Sequence, residues 1–384
     1  MSRRRCVRKQ TVFTMITAAA LSPLMIMSLS AAMPSAQDCI IAAADASARL
    51  AAGGFYPDVP ATEVSTEDKP AVNNTIPIDD SRMLSYGELR MPSSANEEAA
   101  VPEEHDEGAK PYPQELESRD GVIERMTYGF CGGTDYIALE GGGQVRNVTS
   151  VSRDTLVKAS AEPYSFTVEK NGEPQVLIMH THETESYEPY SRDFYDDSFT
   201  SRTTDDRMNM AAVGDAIAAQ LESAGYGVLH DVTKHDYPSY NGSYDRSRVT
   251  VTDILEQYPS IKVVLDIHRD AIQRADGTRI APVTEIDGKS AAQLMIICGC
   301  DDGTMNMPDY MENFRFACAL QRQFEMDSPT LTRPVLFDYR KYNQDLTTGS
   351  LLIEVGGHAN SMDEAVYTGE LIGKSLVNLF EKGM

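Results

Sequence analysis

The chain has 384 residues, 41% of them hydrophobic, and carries a formal net charge of −24. This length is enough to bury one substantial core. The excess of 58 acidic over 34 basic residues argues against a nucleic-acid partner, because binding to phosphates needs a basic face. Six cysteines show neither zinc-finger spacing nor the density of a disulfide framework.

The N-terminal segment has the pattern of a membrane anchor. Basic residues between positions 3 and 9 precede an uncharged, mostly apolar stretch from Gln10 to about Gln37. That stretch is long enough for roughly 20 residues of bilayer-spanning helix, and the basic flank places the N-terminus in the cytoplasm. We therefore predict that residues 1–37 form a basic tail and a single-pass anchor in the cell membrane, with the remainder outside the cytoplasm. Small residues near 30–36 leave a cleaved signal peptide as the alternative, and the length of the apolar region favours the anchor.

Two segments separate this anchor from the C-terminal part of the chain. Residues 38–119 are predicted to form a flexible, disordered acidic linker, because from about residue 55 to 119 they are rich in Pro, Ser, Glu and Asp. Residues 120–172 contain short β-type pieces broken by glycines, at 136–139 and 145–151. They predict a small β-rich segment, either a subdomain or an extension packed on the C-terminal domain.

From residue 173 to 384, short apolar runs alternate with amphipathic helices. The predicted strands are 176–179, 227–230, 261–267, 293–297 and 351–355, and the predicted helices are 208–224, 247–257, 310–326 and 361–382. This alternation predicts an α/β domain whose mostly parallel sheet is flanked by helices. Active sites of such sheets lie beyond the carboxyl ends of the strands.

Residues suited to metal chemistry follow three of these predicted strands. Four of the seven histidines are at strand ends, namely His180, His182, His268 and His358. A catalytic zinc ion takes three His or carboxylate ligands and keeps an open position for water. His182, Glu185 and His268 supply these three ligands. Glu354 then remains as the general base and acid. We therefore predict a zinc-dependent hydrolase.

Several of these assignments have alternatives. His180 and His182 are two residues apart, so either is a candidate for the first ligand, and Asp205 competes with Glu185 for the carboxylate position. His268 alone is compatible with a core histidine, and Glu354 with a buried acid paired with Arg340. A carboxylate within an apolar strand is nevertheless costly without a partner or a function.

Two further groups of residues have weaker patterns. Arg340, Tyr342, Asn343 and Gln344 form a polar cluster, in which we predict that Arg340 and Asn343 bind substrate; a solvated loop explains the cluster equally well. Cys298 and Cys300 follow an apolar run, and small buried side chains explain them better than a metal or redox pair.

Three motifs together resemble the stage II sporulation protein P family. They are His-Thr-His-x-Thr-Glu-Ser-Tyr at 180–187, Asp-Ile-His-Arg-Asp at 266–270, and Tyr-Asn-Gln-Asp-Leu-Thr with Leu-Leu-Ile-Glu-Val-Gly-Gly and a later Asn at 342–360. The resemblance covers roughly residues 172–384. The family is similar in plan to zinc-dependent N-acetylmuramoyl-L-alanine amidases and to zinc carboxypeptidases. His358 departs from the family's pattern, and no role is carried over to it.

The resemblance implies an anchored peptidoglycan hydrolase that acts during forespore engulfment. It implies amidase activity, endopeptidase activity on peptide cross-links, and cooperation with the sporulation proteins D and M. The alternative from another class is a non-catalytic wall-binding scaffold of the septal engulfment complex, which the intact set of candidate ligands argues against. A serine or cysteine hydrolase lacks support, because the chain has no Gly-x-Ser-x-Gly elbow.

Overall fold

The structure is a computed structural model that describes residues 110–382. The predicted anchor at 1–37 and the predicted linker as far as residue 109 lie outside the described residues. Within residues 110–382, no helix combines the length and the apolar character needed to cross a membrane. Residues 110–119, the end of the predicted linker, contact the folded domain: the Tyr112 hydroxyl donates to the Tyr187 carbonyl over 2.8 Å, and Leu116 is buried.

The strands and helices alternate along the described chain much as the apolar pattern predicts. The strands are β1 (Gly121–Met126), β2 (Tyr136–Ala138), β3 (Gln144–Asn147), β4 (Pro174–Met179), β5 (Phe194–Tyr195), β6 (Gly227–His230), β7 (Val263–Asp270), β8 (Arg279–Ile286), β9 (Lys289–Ala292), β10 (Leu294–Gly299), β11 (Val335–Asp338) and β12 (Ser350–Gly357). The helices are α1 (Arg153–Ser160), α2 (Met210–Ser223), α3 (Ser243–Gln257), α4 (Tyr310–Asp327) and α5 (Met362–Glu381).

The main sheet is mixed but mostly parallel, as predicted, because five of its seven strand pairings are parallel and two are antiparallel. Its strand order is β2-β3-β11-β10-β12-β7-β4-β6. Strands β12, β7, β4 and β6 are parallel to one another, but β10 is antiparallel to β12, with Leu294 opposite Val355. The reason is the connection between β7 and β10. A parallel return needs a crossover, usually a helix, whereas the chain here makes the β8–β9 hairpin and re-enters the sheet at the edge where β7 ended.

That hairpin belongs to a second, four-stranded sheet with the order β5-β1-β8-β9. Its two-residue turn, Asp287-Gly288, has positive φ at both positions, 50° and 74°, as the tight hairpin turn requires. The segment 120–172 divides between the two sheets, because β1 pairs with β8 while β3 pairs with β11. It is thus an extension packed on the rest of the domain.

Helices cover the main sheet differently on its two faces. Helices α2, α4 and α5 pack on one face, where Ile217, Phe316 and Ile372 join Ile353 of β12 in the largest core cluster. Helix α3 packs on the opposite face over β4, β6 and β7. Because side chains alternate along a strand, Glu354 points to the α3 face while Ile353 points to the larger core. Cys298 and Cys300 are buried in that core with free thiols, which confirms the packing interpretation.

Candidate active site

Three predicted ligands meet at the carboxyl ends of β4 and β7. His182, Glu185 and His268 are buried, and one potential ligand atom from each lies within 4.8 Å of the others. The Nδ1 atom of His182 is 3.7 Å from Glu185 Oε1, and the Nδ1 atom of His268 is 3.7 Å from Glu185 Oε2. In the part of the chain that the structure describes, this is the one group of three or more His, Cys, Asp or Glu side chains that could hold a metal ion.

The second ring nitrogen of each histidine is held by another side chain. His182 Nε2 is 3.0 Å from Ser243 Oγ, at the start of α3. His268 Nε2 is 2.7 Å from Asp266 Oδ1, a close charge contact rather than an aligned hydrogen bond. Thr181 fixes that carboxylate by donating to both of its oxygens. Such partners orient metal-binding histidines, so both Nδ1 atoms face the centre of the group.

Glu185 is oriented in the same way by neighbouring donors. The Arg269 backbone N–H donates to Oε2 over 3.1 Å, and the Arg202 guanidinium donates to Oε1 over 3.2 Å. Arg202 also donates to Asp236 over 2.6 Å, so its position is fixed by a second carboxylate. The carboxylate of Glu185 is therefore held with one oxygen towards each histidine.

The electrostatic surroundings of the two histidines differ, because burial and the charges of His268 and Arg202 lower the pKa of His182. Burial lowers the pKa of His268, but Asp266 and Glu185 outweigh this and raise the pKa to about 9. The ring thus lies in a strongly negative surrounding. A buried cluster of two imidazoles and one carboxylate, with oriented nitrogens, is the donor set of catalytic zinc sites. The residues present therefore fit a zinc ion.

Glu354 lies beside this group on the neighbouring strand. Its Cα is directly opposite that of His268 in the β12–β7 register. The side chain is buried, and its Oε2 atom has no hydrogen-bond partner among residues 110–382. Burial, with Asp270 adding to it, raises the pKa of Glu354 above its usual range. A buried carboxyl that retains an unpartnered oxygen next to a candidate metal group is suited to proton transfer.

The Gly-Gly and Asn of the third motif shape the turn after Glu354. Gly356 has φ +63°, and a Cβ there would lie 2.6 Å from Asn360 Oδ1 and 2.7 Å from Ala292 Cβ. Asn360 in turn accepts from the Gly357 N–H over 2.8 Å. The register of β12 against β7 shifts at this point. Position 356 therefore requires glycine, which allows β12 to end shortly after Glu354.

An ion pair and an aromatic group complete the surroundings of the site. Arg333 donates to Asp270 Oδ2 over 2.7 Å, with both side chains buried next to Glu354. Tyr244 lies between two other rings, stacked on Tyr342 at 5.0 Å and nearly parallel to the His268 ring at 6.3 Å. Tyr240 stacks on His182 at 4.5 Å. These rings restrict water around the ligand group.

The structure places the alternative ligands elsewhere. His180 points into the domain, where Nδ1 is 2.9 Å from the Ile267 carbonyl and Nε2 is 2.9 Å from His230 Nε2. Asp205 accepts two hydrogen bonds from the Arg207 guanidinium, at 2.9 and 2.8 Å, and a third from the Arg207 backbone N–H at 3.1 Å. Neither residue belongs to the candidate metal group.

The predicted substrate-binding residues make contacts within the domain. Arg340 donates to Asp338 over 2.8 Å and to the Tyr342 hydroxyl over 3.1 Å. The Asn343 amide donates to the Tyr244 carbonyl and to Ser247 Oγ, at 2.9 and 3.1 Å. Asn343 thus ties its loop to α3, and its role in substrate binding stays a prediction.

Sequence reasoning missed several residues that support the site. Asp266 has a signal in the sequence, because it lies two positions before His268 on a strand and therefore on the same face. Ser243 and Arg333 have none, because they reach the site only through the tertiary fold. His358, which departs from the family's pattern, is buried, and its Nδ1 atom has no hydrogen-bond partner within the described chain.

Comparisons with known proteins agree with the motifs. The family model of "Stage II sporulation protein P (SpoIIP)" matches residues 85–376. Stage II sporulation protein P of Bacillus subtilis (strain 168) is 34% identical over an alignment of 202 residues, and the match covers 49% of this chain and 47% of that protein. The match therefore spans about half the length of this curated relative.

Solved structures with a similar arrangement include two amidases. N-acetylmuramoyl-L-alanine amidase AmiC2 of Nostoc punctiforme is 12% identical, with a TM-score of 0.32, and the match covers 56% of this chain and 97% of that one. The CwlD amidase from Clostridioides difficile, solved in complex with the GerS lipoprotein, is 9% identical with a TM-score of 0.35, over 54% and 99% of the two chains. Because the family model matches well over half of the residues, the chain belongs to the stage II sporulation protein P family.

Proposed function

We propose that this protein is a zinc-dependent peptidoglycan hydrolase that acts in sporulation as an N-acetylmuramoyl-L-alanine amidase, and also as an endopeptidase on peptide cross-links. The observation that carries the proposal is the buried group of His182, Glu185 and His268 directly beside Glu354, whose carboxyl has an unpartnered oxygen among the described residues. Membership of the family supports the cell-wall substrate and the role in engulfment.

His182, Glu185 and His268 would hold the zinc ion. When bound, zinc supplies Lewis-acid polarisation of the amide carbonyl and makes the attacking water more acidic. Asp266 and Ser243 keep the two imidazoles turned towards the centre of the group, and Arg202 with the Arg269 N–H holds Glu185. The ligand geometry is thus set before substrate arrives.

Glu354 moves the proton. Its carboxylate takes a proton from the attacking water and delivers that proton to the nitrogen of the leaving amine. Burial and the neighbouring Asp270 raise the pKa of Glu354 above its usual range, which makes the carboxylate a stronger base towards the attacking water. The Tyr240, Tyr244 and Tyr342 rings limit the access of bulk water, which would weaken these electrostatic interactions.

We further propose that residues 1–37 anchor the chain in the cell membrane and that the catalytic domain faces the septal wall. The basic flank and the apolar stretch of the sequence support this location. The sporulation proteins D and M are the proposed protein partners, as the family resemblance implies.

The test is digestion of purified peptidoglycan by the full-length chain, with mass spectrometry of the released fragments. Stem peptides with a free N-terminal alanine report amidase activity, and cleaved cross-links report endopeptidase activity. We expect release with zinc, loss with a chelator, and a loss of about 10²–10⁴-fold in Glu354→Gln. Glu285→Gln, an exposed position on β8, is the matched control and retains activity. Bound zinc, measured by elemental analysis, without any release of fragments would favour a partner-activated enzyme, and the absence of both zinc and release would favour the wall-binding scaffold.

A further inference from the structure

Phe130 is the most exposed large apolar side chain of the described residues, with 76% of its surface accessible. It lies in the loop between β1 and β2, flanked closely by Gly129 and Gly132, and a Cβ at either glycine would meet nothing within 4 Å. Single exposed apolar side chains are ordinary on protein surfaces. What distinguishes Phe130 is the way in which the structure holds the loop that carries it.

Two buried glutamines clamp the backbone on both sides of Phe130. Gln293 accepts from the Tyr128 N–H over 2.7 Å and donates to its carbonyl over 2.9 Å. Gln144 does the same for Cys131, at 2.7 and 2.8 Å. Each side-chain amide thereby makes the pair of hydrogen bonds that the backbone of a neighbouring strand would otherwise make. Both glutamines are buried. The loop is therefore a rigid support that holds an aromatic ring in solvent.

The clamp at Tyr128 places this loop at the active-site edge of the main sheet. Gln293 immediately precedes β10, and its carbonyl accepts from the Gly356 N–H over 3.1 Å, two residues after Glu354. Phe130 is two residues farther along, at most roughly 7 Å of chain from Tyr128.

We propose that Phe130 is a stacking platform for a sugar ring of the glycan strand, at the same edge of the main sheet as the active site. The inference rests on the proposed peptidoglycan substrate. An amidase of this kind must bind the glycan at the point where the stem peptide is attached, so sugar rings pass along the rim of the site. The apolar C–H face of a pyranose packs on the electron-rich face of an aromatic ring, and a fixed ring loses little entropy on binding.

The test measures binding of the full-length chain to glycan strands from which all stem peptides have been removed. The chain carries Glu354→Gln throughout, so that no bond is cut. We expect Phe130→Ala to weaken binding about tenfold, the size of one aromatic contact, and Phe130→Trp to retain it. Met326→Ala is the matched control, because Met326 is 51% exposed on α4, which packs on the face of the main sheet away from Glu354, and this variant should bind as the parent does. Thermal unfolding of all variants should be unchanged.

Equal binding by the parent and Phe130→Ala would overturn the proposal, as would absence of binding by the parent. A change of oligomeric state with unchanged glycan binding would identify the ring as a protein interface and would also overturn it. The assay requires no cleavage. Phe130-dependent binding without amidase activity in the wild-type chain would therefore contradict the proposed function alone, whereas amidase activity with Phe130-independent binding would contradict this inference alone.

Discussion

Glu354 and His268 lie directly opposite each other on the parallel strands β12 and β7. The pairing places the backbone of a candidate metal ligand beside the backbone of the proposed proton-transfer residue. Their separation is set by the spacing between neighbouring strands, about 4.8 Å. Backbone hydrogen bonds of two fully buried strands maintain it, so the geometry does not depend on a mobile loop. Substitutions at these positions should therefore act on chemistry and on local electrostatics more than on the position of the backbone.

The first prediction concerns Asp266, which contacts His268 Nε2 at 2.7 Å. Asp266→Asn keeps the shape of the side chain but removes the charge that orients the imidazole. We expect zinc affinity to fall roughly 10–100-fold, because outer partners of metal-binding histidines contribute that much. Competition with a chromophoric chelator measures the affinity. Asp154→Asn, exposed at the start of α1, should leave it unchanged. An Asp266→Asn affinity within about twofold of the parent would show that this contact does not orient the ligand.

The second prediction is that the Glu354 carboxylate, proposed above to transfer the proton, reduces the stability of the fold. Glu354 is buried with an oxygen that has no partner among residues 110–382, and burial raises its pKa. The folded state therefore retains the proton where the unfolded state releases it, so this contribution to stability falls as pH rises above the unfolded pKa. We expect Glu354→Gln to raise the free energy of unfolding of the metal-free protein at pH 8 by about 1–3 kcal/mol, the cost of a poorly satisfied buried polar group. Urea unfolding with a chelator present measures this, and the gain should shrink at pH 5.

The sequence predicts the strands and helices of this structure better than it predicts the directions in which the strands run. The apolar periods from residue 173 onward predict strands and helices close to the observed ones, such as 208–224 for Met210–Ser223. The direction of β10 is not encoded in its apolar run, because a buried parallel strand and a buried antiparallel strand have the same apolar pattern. The missed β8–β9 hairpin did have a signal, the Asp287-Gly288 pair between two strand-like runs.

The candidate site also contains residues that the sequence predicts and residues that it does not. Spacing within the motifs brings His182, Glu185 and His268 together, since strand ends converge at one edge of a sheet. The partners that orient them come from elements distant in sequence: Ser243 begins α3, and Arg202 lies in the loop before α2. No local period marks such residues, because a hydrogen bond between loops depends on the complete tertiary fold.

The third prediction concerns the buried ion pair between Arg333 and Asp270. Arg333→Met leaves the Asp270 carboxylate buried without its partner, close to Glu354. We expect a loss of about 3–5 kcal/mol in the free energy of unfolding, since breaking a buried pair leaves an uncompensated charge. Adding Asp270→Asn removes that charge and should restore part of the loss. Urea unfolding of the two single variants and the double variant measures the coupling. Additive losses would contradict the idea that these two side chains stabilise each other.

The fourth prediction concerns Gly214, which lies on α2 beneath the ring contact between His180 and His230. A Cβ at Gly214 would be 2.2 Å from His230 Nε2 and 2.8 Å from His180 Nε2. Alanine in a helix is favoured over glycine by roughly 0.5–1 kcal/mol, but overpacking a buried contact costs about 1–3 kcal/mol. We expect Gly214→Ala to destabilise the protein, as measured by thermal and urea unfolding.

The control for this fourth prediction is the same substitution in a His230→Ala background. Removing the His230 ring removes the closest clash, so most of the cost of Gly214→Ala should disappear there, and the helix preference of alanine should partly reappear. A cost that is the same in both backgrounds would show that the contact with His230 is not its cause. A smaller cost in the His230→Ala background would establish that Gly214 is required because the two histidine rings pack against the backbone of α2.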